Sequence, residues 1–126
     1  MTKVIINEQH SLLEQQEAII KKKLGNEIEL VKIPAEGINR QQIEQLAEEL
    51  VQDTVLDKTN IVVLSPIPLL LALLASDIAE YSYKYDYHGD RGALYILHND
   101  KREKKELPGG KIISVIASTG WELIEI

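Results

Sequence analysis

Four short polar stretches hold the side chains that could do chemistry, and each directly follows an apolar run. They are Asn7-Glu8-Gln9-His10-Ser11, Pro34-Ala35-Glu36-Gly37, Ser65-Pro66-Ile67-Pro68 and the segment from His98 to Lys105. His10 carries an imidazole, suited to orienting or protonating a ligand oxygen. The alternative is that Asn7, Gln9, His10 and Ser11 only end a strand and cap a helix. Ser65 either meets a phosphate together with the amides of the following helix or simply begins a proline turn. Lys101 and Arg102 come first after an apolar run, where cations would stabilise a phosphate or its transition state. The same run, Asp100 to Glu106, reads equally as the solvated arm of a hairpin. An amide, an imidazole, hydroxyls, helix N-termini and local cations are the ingredients of a phosphate site.

Several chemistries are disfavoured by what is missing. Neither G-x-G-x-x-G nor G-x-x-x-x-G-K-[ST] occurs, which disfavours dinucleotide and P-loop binding. Ser65 lacks the G-x-S-x-G elbow of a hydrolase triad. With no cysteine, thiolate nucleophiles, disulfides and Cys-ligated metals are excluded. His10, His88 and His98 show no metal-ligand spacing, so neither a metal nor another cofactor is expected. The net charge of −6 offers no field for long nucleic acid. The apolar stretch 61–75 is interrupted by prolines and is shorter than the roughly 20 residues that cross a bilayer. With Met1-Thr2-Lys3 leading straight into Val4-Ile5-Ile6, no secretory signal is expected, and the expectation is a cytoplasmic protein.

The elements that position these stretches follow from apolar periodicity. Ile61-Val62-Val63-Leu64 is apolar at consecutive positions, the pattern of a parallel strand covered on both faces, and it runs through Ser65-Pro66 into an apolar helix from about Pro68 to Tyr81. Lys3 to Asn7 forms the first strand. A helix follows from near Leu12, with Ser11 as N-cap and Glu14 completing a capping box. Ile28 to Ile33 is the second strand and Pro34 closes it. A second helix starts near Asn39, turning Ile43, Leu46, Ala47, Leu50 and Val51 toward the sheet.

Tyr81, Tyr83, Tyr85 and Tyr87 recur at alternate positions, as in an extended segment or an unwinding helix end, and 87–92 is loop by composition. Ala93 to His98 is a fourth strand. Pro108-Gly109-Gly110 turns a hairpin into Lys111 to Ala117, and Leu123 to Ile126 makes a last short strand. Residues 1–126 therefore read as a single α/β domain, a mainly parallel sheet flanked by helices with a C-terminal antiparallel hairpin.

The layout resembles the stand-alone ring nucleases of type III CRISPR systems and their relatives, which have a CRISPR-associated Rossmann-like fold. The similar residues are Ile6-Asn7-Glu8-Gln9-His10-Ser11-Leu12-Leu13-Glu14-Gln15-Gln16, the stretch Leu24 to Pro34, and the strand entering Asn99-Asp100-Lys101-Arg102 ahead of Ile112 to Val115. Some members carry glycines where this chain has Ser65-Pro66-Ile67-Pro68. The resemblance implies that a homodimer binds cyclic oligoadenylate and degrades it without a metal, a ribose 2′-hydroxyl attacking the adjacent phosphate to leave a 2′,3′-cyclic phosphate. His10, Lys101 and Arg102 would then be catalytic, and Asn7, Gln9, Ser11, Ser65 and Asn99 would hold the ligand. The long apolar face of the third helix would supply the dimer contact. Beside the enzyme stand two other readings: a module that senses or sequesters a nucleotide messenger, and an interaction protein with inert loops.

Overall fold

Val4, Ile5 and Ile6, and likewise Ile61, Val62 and Val63, are apolar at consecutive positions because the strands carrying them are covered on both faces; none is more than 4% exposed. The computed structural model describes residues 1–65, 67–84, 91–99, 101–117 and 119–126. In chain order the elements are β1 (Thr2–Asn7), α1 (Glu14–Leu24), β2 (Ile28–Ile33), α2 (Arg40–Leu56), β3 (Asn60–Val63) and α3 (Pro68–Lys84). They continue with β4 (Leu94–His98), β5 (Arg102–Glu106), β6 (Ile112–Ile116) and β7 (Glu122–Glu125).

The main sheet has the order β2-β1-β3-β4-β7, parallel except for β7, which runs antiparallel to β4 at the edge. β5 and β6 form a separate antiparallel hairpin. The fold is therefore the expected Rossmann-like α/β arrangement. From β1 the chain steps to β2 on one side and then returns to β3 on the other. Right-handed crossovers accordingly put α1 on one face and α2 with α3 on the opposite one.

Alternation along the strands feeds two separate cores. Ile5, Ile61, Val63 and Leu94 pack against Leu50 of α2 and Leu70, Leu74 and Ile78 of α3. Val4, Val62, Tyr95 and Leu97 pack against Ile20 of α1. Each fully buried aliphatic side chain contributes about 1.5–3 kcal/mol, so the central strands anchor the domain. A part-buried ion pair, Lys3 Nζ to Asp53 Oδ2 at 2.6 Å, ties the start of β1 to α2. Its hydrogen bond to Asp53 holds the Lys3 ammonium above its ordinary value, although burial pulls the other way.

Two expectations are corrected. Ser11 is not the N-cap of α1: the helix begins at Glu14, and Gln16 Oε1 accepts from Leu13 N at 3.0 Å. Asn7 consumes the intervening residues in a turn, its Oδ1 accepting from Gln9 N and its carbonyl from His10 N, both at 2.9 Å. α3 continues to Lys84, so Tyr81 and Tyr83 are helical and not extended; Tyr85, Tyr87 and His88 lie outside the described residues. Leu71, Leu73, Ala75 and Tyr81 of α3 also pack, partly buried, on the α2–α3 core, while Leu69 remains 41% exposed. Among the described residues no helix is long and apolar enough to cross a membrane.

Candidate functional site

In an open doubly wound sheet a ligand sits outside the carboxyl ends of the two strands between which the order reverses. Here those strands are β1 and β3. Their ends are joined by Ser65, whose Oγ accepts from Asn7 N at 2.8 Å while its own amide donates to Ile5 O at 3.2 Å. A serine hydroxyl has one proton and two lone pairs, so this joint leaves the Ser65 proton to donate elsewhere.

A cleft of about 470 Å³ opens at this point. The β1–α1 turn gives it Gln9, His10 and Ser11, and the first part of α1 gives Leu13 and Gln16. Leu64 and Ser65 form the β3 side, and Trp121 closes the far wall. The volume lies in the range of small-ligand sites. Among the described residues none of its lining side chains is a carboxylate, lysine or arginine. Glu8, the nearest acid in sequence, is turned away, its Oε1 accepting from Ala35 N at 2.7 Å beyond β2.

Trp121 reaches the rim because β7 runs back along β4, pairing Glu122 with His98 and so setting the residue before it at the carboxyl end of β4. Gly120 makes the turn at φ 90°, and a side chain there would come within 3.2 Å of Asn99 Oδ1. The indole packs against the α1-side core. Its Nε1 is buried with no hydrogen-bond partner among the described residues.

The expected site residues divide. Gln9, His10, Ser11 and Ser65 line the cleft together. Asn7 lies beneath it as a brace. Asn99 forms a clasp: its Nδ2 donates to Ala117 O and Thr119 O, both at 2.9 Å, and its Oδ1 accepts from Lys101 N at 3.0 Å. Lys101 stands outside the cleft with Nζ 3.2 Å from Thr119 Oγ1. Arg102 opens β5 on the exposed hairpin. The stretch Pro34 to Gly37 closes on itself through Gly37 N to Pro34 O at 2.9 Å and lines none of the cleft.

Trp121 is absent from the sequence reading, and Leu13, Gln16 and Leu64 appear in it without a place at the site. For Trp121 a signal exists: it is the only tryptophan, and it sits between a glycine turn and a short final strand. Its place at the rim depends on that strand running antiparallel beside β4, which is a tertiary fact.

A second groove, of about 440 Å³, runs between α2 and α3 past Val51 and Tyr81. Glu44, Glu48, Asp77 and Glu80 flank it and would repel an anion. Among the described residues no three His, Asp or Glu side chains gather as a metal-ligand set. Compared with known proteins, the chain matches no family model, no curated protein and no solved structure.

Proposed function

We propose that the cleft at the β1–β3 reversal binds a nucleotide messenger, cyclic oligoadenylate being the ligand the sequence resemblance points to, and that the protein acts as a sensor or sequestering module. One observation carries this reading: Trp121, His10 and Ser65, an aromatic ring, an imidazole and a hydroxyl, line one cleft. Stacking a base on an aromatic side chain is worth about 1–3 kcal/mol, and neutral donors suit ribose and phosphate oxygens. A cyclic oligonucleotide exceeds one such cleft, so each copy would hold part of the ring.

Binding is favoured over cleavage because in-line attack on a phosphate needs positive charge at the reacting oxygens. Among the described residues no lysine or arginine lines the cleft. One observation supports the ring-nuclease reading as a second one: the Lys101 side chain borders Gly120, adjacent to Trp121, and its length lets the ammonium swing inward.

Since Trp121 is the sole tryptophan, its fluorescence reports the cleft directly. Titration with cyclic tetra- and hexa-adenylate is expected to change that signal saturably, with matching calorimetric heat. Trp121→Phe should retain most of the affinity, whereas Trp121→Ala should lose about tenfold or more. No heat with either ring would end the nucleotide reading. Chromatography of the rings after incubation in EDTA separates the two versions: intact rings mean a binder. Products ending in a 2′,3′-cyclic phosphate mean a nuclease, which Lys101→Ala with Arg102→Ala should slow more than tenfold.

A further inference from the structure

The β5–β6 hairpin has two unlike edges. Every residue of β5 is charged and exposed, Arg102-Glu103-Lys104-Lys105-Glu106. β6 is Ile112-Ile113-Ser114-Val115-Ile116, with no charge and no proline. Ile112 is 62% and Ile116 49% exposed. Natural sheets guard a free edge with charge, proline or a bulge. β5 is guarded in this way and β6 is not. A lone two-stranded hairpin is also marginal in water, so the apolar strand calls for a further partner.

The ladder shows which backbone groups are free. Ala117 N bonds Lys101 O and Leu107 N bonds Lys111 O, so odd-numbered residues of β6 face β5. The amides and carbonyls of Ile112, Ser114 and Ile116 point outward. Read from Ser114 in either direction, the strand is apolar twice, so it matches its own reverse.

We propose that β6 is a homodimer interface, pairing antiparallel with β6 of a second copy about a two-fold axis through Ser114. Ile112 then lies opposite the partner's Ile116, Ile113 opposite the partner's Val115, and every outward backbone group of the strand is satisfied. The charges of β5 do not oppose this arrangement, since they stay about 14 Å from those of the partner, three strand spacings away. On β5, Glu106 neighbours Ile112 and Arg102 neighbours Ile116. Each row through Ile112 and the partner's Ile116 therefore ends in a carboxylate on one side and a guanidinium on the other. Lys105 and Glu103 bracket the Ile113 and Val115 rows in the same way. The charged β5 strands become the outer edges of the four-stranded sheet and stop growth at two copies. This inference does not depend on the nucleotide reading.

Sedimentation of the wild-type chain across a concentration series should show mass rising from monomer to dimer and no further. The Ser114 amide faces outward, so Ser114→Pro removes no hydrogen bond of the hairpin and should leave a monomer with unchanged circular dichroism. The chain has no cysteine, so a single introduced thiol is unambiguous. Ser114→Cys, on the axis, should form a disulfide dimer in air. Lys111→Cys, roughly 20 Å from its own copy in this register, should not. A wild type that stays monomeric, a dimer that survives Ser114→Pro, or equal cross-linking of the two thiol variants would overturn the proposal.

Discussion

Ser65 does two jobs. Its Oγ is the acceptor that holds the end of β1 against the end of β3, and the same residue lines the cleft. Ser65→Ala therefore strands the Asn7 amide at a joint where the serine itself is only 9% exposed. Leaving such a donor unpaired costs about 1–3 kcal/mol, which urea unfolding should read as a lower midpoint with an unchanged slope. Ser65→Thr keeps the oxygen and should recover most of that loss. If the alanine variant unfolds at the wild-type midpoint, the hydroxyl is not the clasp between the strands. Trp121 differs in kind: its ring packs in the α1-side core and so contributes to stability, while its Nε1 is buried with no hydrogen-bond partner among the described residues.

Gly92 shows how elements are fixed by close approach rather than by pattern. A Cβ built there would fall 1.8 Å from Thr59 O, because the chain entering β4 lies directly against the α2–β3 connection, and Gly92 N donates to Thr54 O at 2.9 Å. Gly92→Ala must push β4 away from β3, and thermal unfolding should show a loss on the order of 3 kcal/mol or more. A shift in Tm too small to resolve would mean that the loop yields without moving the strand. Glycine in loop composition is visible in a sequence, but this contact is not. The same division runs through the rest of the chain. The unbroken apolar runs of β1 and β3 and the Asn39 start of α2 are local signals, and they were legible. The Asn7 turn that delays α1 and the helical placing of Tyr83 were not, since each depends on a hydrogen bond or a continuing helix that competes with an equally good local pattern. His10 and Ser65 were found because they follow strands. Trp121 was not, because only the reversed direction of β7 carries it to the same rim.

At the scale of the whole molecule, two titrating groups couple the sheet to opposite helical layers, and both make the fold sensitive to alkali. Lys3 at the start of β1 is held above its ordinary 10.5, first by its hydrogen bond to Asp53 of α2. Tyr95 of β4 is raised above 10.0 by burial and then by the charge of Glu125, with Lys23 of α1 5.1 Å above its ring. Each group keeps its proton more tightly in the native state than in the unfolded chain. Below the ordinary values both states are protonated and both contributions are complete. Above about pH 10 the unfolded chain releases protons that the native one retains, so stability falls until the native values are passed. Denaturant unfolding between about pH 8 and pH 11 should therefore show a decline that Tyr95→Phe reduces and Lys3→Met reduces separately. The two sites lie on different faces of the sheet, so the reductions should add. Lys3→Met also leaves Asp53 without its cation and lowers stability at every pH, which makes the slope, not the level, the deciding quantity. An alkaline slope that persists unchanged in the double variant would show that other groups carry it.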